Sequence, residues 1–163
     1  MAQLLKGDRL TADPWTRVAD EDPIPEGEPA IVSLDRWCRE CPVLATRNAP
    51  VGVRLRSDQP PLPLADDLPR LALVAIEFPR FTDGRAYSYA RLLRQRFGYR
   101  GEVRAVGNVL RDQLAFMRRC GFDAFELPDG VDARAWQRAF DEISVAYQPA
   151  AGPAEREPGR RRT

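Results

Sequence analysis

A chain of 163 residues is long enough for one domain with its own core and short for two. Its 44% hydrophobic and 30% charged residues are ordinary for a globular protein in water, and a formal net charge of +1 supplies no field to draw in nucleic acid or an anionic membrane. Histidine is absent and Lys6 is the single lysine. Histidine triads, histidine general bases and histidine-held zinc or haem are therefore excluded, and nearly every cation is an arginine, which suits oxyanions and shuttles protons poorly. No apolar run approaches the roughly 20 residues of a membrane span, and MAQLLKGDRL lacks the features of a signal peptide. A cytoplasmic protein with three reduced cysteines, no nucleic-acid partner and no membrane contact is expected.

In chain order, LLKGDRL from Leu4 to Leu10 turns at Gly7-Asp8 and predicts a hairpin. DEDPIPEGEP (20–29) is an acidic, proline-rich linker. AIVSL is a strand, and Ser33 is placed to cap a helix whose apolar side holds Leu34, Trp37, Cys38, Cys41 and Leu44, with Pro42 expected to kink or end it. VGVRL (51–55) is the next strand. SDQPPLPLADDLPR has too many prolines for a helix and is expected to cross the surface, with one turn near Leu64 to Leu68.

From residue 71 the alternation is regular. LALVAIEF is apolar enough for a strand buried on both faces. Ala86, Ala90, Leu93 and Phe97 stripe a helix, EVRAV is a strand, and Asn108 is expected to cap a helix that carries Leu110, Leu114 and Met117. FDAFEL is a strand, and Asp132 opens a last helix with Trp136 and Phe140 inside. The fold class this predicts is α/β: a single domain with a mainly parallel sheet of about four to five strands, helices packed on it and an N-terminal hairpin. An open three-layer sheet is the first choice and a partial β/α barrel the alternative. The expected divisions are 1–29 for hairpin and linker, 30–147 for the α/β domain and 148–163 for a disordered, arginine-bearing tail.

Ligands of open parallel sheets bind beyond the carboxyl ends of the strands. At that edge the chain places PRFTDGR, with Arg80, Asp83, Gly84 and Arg85 followed by Ser88, and GNVLRDQ, with Asn108, Arg111 and Asp112. Helix-terminal amides beside guanidinium groups form a corner for a small oxyanion. A purely structural account stands beside this one, in which Asp83 caps the helix, Gly84 supplies a positive φ, and Arg85 or Arg111 pairs with Asp112 or Glu77. Neither GxGxxG nor GxxxxGK[ST] is present. WCRECP is similar to a thioredoxin motif, but its cysteines fall inside the helix on the apolar side and read as small core residues. No residue set implies a metal, and no cofactor is expected.

FPRFTDGRAYSYARLLR and FGYRGEVRAVGNVLRDQLAFMRRCGFDAFEL resemble a bacterial family classed as a domain of unknown function, whose members are labelled probable oxidoreductases of sulfite reduction and are encoded beside an assimilatory sulfite reductase. The family pattern falls on Asp83, Gly84, Arg85 and Ser88 in the first block and on Arg111 and Asp112 in the second. It omits Cys38 and Cys41, and Asn108 stands where an acidic residue is usual. The resemblance implies an accessory protein of assimilatory sulfite reduction that binds sulfite reductase, through its haemoprotein component, or a small sulfur oxyanion. An oxidoreductase with a non-covalently bound cofactor and an assembly factor without ligand are the alternatives.

Overall fold

The computed structural model describes residues 3–79 and 84–146. Eight strands form one sheet: β1 (Gln3–Lys6), β2 (Arg9–Ala12), β3 (Thr16–Arg17), β4 (Ala30–Ser33), β5 (Val51–Leu55), β6 (Leu73–Phe78), β7 (Glu102–Gly107) and β8 (Ala124–Glu126). Their order is β2-β1-β8-β7-β6-β5-β4-β3. Strands β3 to β8 are parallel and follow one another in sequence, while β1 is antiparallel to both β8 and β2. The helices are α1 (Leu34–Leu44), α2 (Arg85–Arg91, extended by a π turn over Leu92–Arg96), α3 (Leu114–Cys120) and α4 (Ala133–Ala146).

This corrects the expected open three-layer sheet of four to five strands: the sheet has eight strands and curls into a half-barrel. Two causes are visible. The N-terminal hairpin joins the sheet through β1 and β8, and β3 is a two-residue strand too short to leave a pattern in the sequence. A three-layer sheet needs a reversal in strand order, which puts helices on both faces. Strictly sequential order with crossovers of one hand leaves all helices on one face, and a twisted sheet so loaded curls around the other.

The register explains why the two faces differ. Val32, Val53, Val74 and Val103 are direct neighbours across four strands, and Leu55, Ile76, Ala105, Phe125 and Leu5 form a second row on the same side. Both rows are buried under Trp37, Ala90, Leu93, Met117, Trp136 and Phe140 of the helices. The alternate residues face the concavity: Ile31, Gly52, Leu73 and Glu102 in one row, Ser33, Arg54, Ala75, Arg104 and Ala124 in the next. One sheet thus has an all-apolar outer face and a partly charged inner one, as period-two alternation dictates. A side chain at Gly52 would begin 2.8 Å from a Leu73 methyl, so glycine lets Leu73 lie flat there.

Residues 12–18 cross the concavity from β2 to β3. Trp15 packs on Ile31, Leu73, Ala75 and Val106. Asp13 accepts from Arg104 at 2.8 Å. Arg17 reaches Glu126, although β3 and β8 are separated by four strands in the sheet, and that contact is the plainest sign of the curl. Arg36 and Arg47 hold the 20–29 loop by donating to the carbonyls of Ala19, Asp22, Pro25 and Glu28.

Several local expectations hold. Ser33 Oγ accepts from the Arg36 amide at 3.0 Å and caps α1, and Asp132 accepts from the Arg134 amide at the start of α4. Pro42 lies in the last turn of α1, which ends at Leu44. Others are corrected. The proline-rich segment forms two 3-10 turns, Leu62–Leu64 and Leu68–Arg70, that anchor Leu64 and Leu68 in the core. Asn108 caps no helix, because a 3-10 turn over Arg111–Gln113 delays α3 to Leu114. Residues 148–163, expected to be a disordered tail, lie outside the described residues.

Candidate functional site

Of the residues the sequence places at the carboxyl edge, Arg80 and Asp83 lie outside the described residues. Gly84, Arg85, Ser88, Asn108, Arg111 and Asp112 are all exposed there, on the loops that follow the adjacent strands β6 and β7 and the elements they open. The end of β6 and α2 are tied to the segment after β7. The Asn108 amide donates to the Phe78 carbonyl at 2.7 Å, and Tyr87 Oη donates to Gln113 Oε1 at 3.4 Å. Phe116 stacks beside Tyr87 and under the Arg91 guanidinium, which stiffens the same corner.

The side chains do not converge on one point. Arg85 donates to Ser57 Oγ at 3.3 Å, toward the β5 loop, where Tyr89 Oη also donates to the Ser57 carbonyl. Arg111 and Asp112 instead border a hollow of about 400 Å³ shared with Asp132 and Trp136. Gly84 has φ −79°, so its expected positive φ is not observed. Glu77 pairs with Arg54, a partner the sequence did not indicate. The edge is therefore an open surface of both charge signs around Ser88 and Asn108, with one shallow hollow at Arg111 and Asp112.

A second feature of this edge went unread in the sequence. A cavity of about 480 Å³ opens on the concave side and is lined by Arg17, Asp20, Ser33, Arg54, Arg56 and Glu77, with Ile31 among its apolar walls. Ser33 Oγ donates to Asp20 Oδ1 at 2.6 Å while it caps α1. Arg54 and Glu77 lie 3.3 Å apart, both about 30% exposed. These residues come from four separate stretches of chain and share no motif. The available signal is weaker: Arg54 and Glu77 are charges near the ends of otherwise apolar strands, pointing to the face away from the core.

Cys38 is exposed, which corrects its expected core position, while Cys41 is partly buried against the core. Partial desolvation raises the Cys38 thiol above its ordinary pKa, and the Asp35 and Asp67 carboxylates push the same way. A redox-active first cysteine needs the opposite shift, so the resemblance to a thioredoxin motif ends at spelling. Trp37 is fully buried and its indole donates to Asp67 at 3.0 Å. Among the described residues no group of three or more Cys, Asp or Glu is arranged to hold a metal ion, and no helix is long and apolar enough to cross a membrane.

Residues 52–158 match the family described as bacterial protein of unknown function, DUF934. The match spans β5 to α4 and includes both loops of the carboxyl edge. No curated protein matches the chain.

Proposed function

Because the chain belongs to this bacterial family of unknown function, DUF934, we propose that it is an accessory protein of assimilatory sulfite reduction that docks on the haemoprotein component of sulfite reductase through the loops beyond β6 and β7. The pathway comes from the resemblance of FPRFTDGRAYSYARLLR and GNVLRDQ to proteins labelled for sulfite reduction. The mode of action comes from one observation: Arg85 and Ser88 of α2 are exposed beside Asn108, Arg111 and Asp112, and hydrogen bonds from Asn108 to Phe78 and from Tyr87 to Gln113 join the end of β6 and α2 to the segment after β7. An open ridge of both charge signs on a rigid base suits a protein surface, where complementary charge sets partner choice and orientation. A small ligand needs polar groups that converge in one hollow, and here Arg111 and Asp112 border one while Arg85 turns toward Ser57.

Binding of the purified chain to purified sulfite reductase haemoprotein, read by surface plasmon resonance, tests the reading. Arg111→Glu and Asp112→Arg reverse charges in an exposed turn, so the melting temperature should stay within a degree or two, as for surface substitutions generally. Together they should weaken binding at least about tenfold, or roughly 1.4 kcal/mol, and the loss should shrink in high salt. An unchanged affinity in the double variant, or no complex with the intact chain, removes the proposal.

A further inference from the structure

We infer that the concave cavity between β3, β4, β5 and β6 is a binding site for a small multivalent oxyanion or carboxylate, separate from the docking ridge. Its lining brings three guanidinium groups, Arg17, Arg54 and Arg56, against two carboxylates, Asp20 and Glu77. Each guanidinium already has a carboxylate partner, Arg17 with Glu126, Arg54 with Glu77 and Arg56 with Asp58, so an anion binds by exchange for one of them. A volume of about 480 Å³ is within the range of small-molecule sites, and Ile31, Val18 and Ala19 supply the apolar walls that strengthen charge recognition inside it.

The arginines are placed for exchange of partners. Arg54 is held by Glu77 at 3.3 Å and Arg56 by Asp58 at 3.2 Å, and all four side chains remain in partial or full contact with water. Pairs of that kind are weak, so an incoming anion with two or more oxygens can take over either fork at little cost. Bidentate contact of guanidinium with such an anion is the stronger bond. Asp20 is oriented by Ser33, whose Oγ donates to its Oδ1 at 2.6 Å. Ser33 is itself fixed as the cap of α1, an 11-residue helix whose positive end faces the same space. Ser33 and Arg54 are register neighbours, and Glu77 stands two residues beyond their row on β6, so three rigid strands set the spacing.

This inference stands on the cavity alone and does not require the docking reading. The test is isothermal titration of the intact chain with sulfite, sulfate and phosphate at low salt. At least one anion should bind with a dissociation constant below about 1 mM. Arg54→Met should weaken it at least about tenfold, and Glu77→Gln, which removes the competing carboxylate, should tighten it. Arg56→Met, at an exposed position that the fold does not need, should weaken binding even if Arg54→Met fails to fold. All three variants should bind the reductase as the parent does. Absence of binding by all three anions overturns the inference. So does an affinity indifferent to Arg56→Met and Arg54→Met, or a Glu77→Gln variant that binds more weakly than the parent. Loss of reductase docking with anion binding intact would instead count against the docking ridge alone.

Discussion

Arg104 is 1% exposed, yet it sits in the middle of the sheet. It points into the concavity, where its Nε donates to Glu102 and its Nη1 to Asp13, each at 2.8 Å, while Lys6 closes on Glu102 at 3.1 Å. The arrangement ties three segments, β1, β7 and the crossing strand segment at Asp13, by charge in a place with little water. A buried cation removed from such a set leaves its carboxylates uncompensated, which costs more than the intact pair contributes. Arg104→Met should lower unfolding free energy by about 3 kcal/mol in urea denaturation, and adding Asp13→Asn should recover part of the loss. A single-variant loss below about 1 kcal/mol, the value of an exposed pair, rules this account out. The arginine is legible in EVRAV as a charge in an apolar strand. Its partner Asp13 is 91 residues away and is not.

At the level of elements, the junctions decided more than the elements did. Helices opened by a side chain already in the sequence pattern, Ser33 for α1 and Asp132 for α4, begin where expected. The turn after β7 does not follow its capping signal. Gly107 takes φ +87°, and a Cβ on it would lie 2.7 Å from the Phe78 carbonyl oxygen. That carbonyl accepts from the Asn108 backbone N–H, and the 3-10 turn over Arg111–Gln113 that follows starts α3 only at Leu114, beyond the reach of an Asn108 cap. Gly107→Ala combines left-handed strain with a backbone clash and should cost about 2 kcal/mol or more by thermal or chemical unfolding. It should also weaken reductase docking, because the Arg111–Gln113 turn hangs from this point. Full stability in the alanine variant would contradict the role given to this glycine. The strand LALVAIEF was readable because a continuous apolar run reports burial on both faces, and β6 is buried at every residue but Glu77. The two-residue β3 was not, since it carries no period at all.

For the molecule as a whole, curl is the property that creates the cavity. Helices gathered on one face leave the other to be covered by the chain between β2 and β3, and Trp15 is the only large apolar side chain that this segment lays on the second cluster of buried residues, Ile31, Leu73, Ala75 and Val106. Half-buried, it should contribute about 2 kcal/mol. Trp15→Ala should therefore lower stability by that amount and speed amide hydrogen exchange in residues 12–18, while β5 to β7 keep their protection. Equal loosening of the central strands would mean that the segment is part of the core and no separate cover. The Arg17 to Glu126 pair, partly exposed on both sides, adds direction more than energy.

What the sequence determined by itself is local: the alternation of strands and helices from residue 71, two helix caps, and the placing of Arg85, Ser88, Asn108, Arg111 and Asp112 at the carboxyl edge. Each of these follows from neighbours within a few residues, through periodicity, capping or the direction of a parallel strand. Tertiary structure alone decided the number and order of strands, the curl, the outward Cys38 and the convergence of Arg17, Arg54, Arg56 and Glu77 on one cavity. Strand order depends on which side each crossover packs, and a period-two pattern says that a residue faces away from the core without saying what it will meet there.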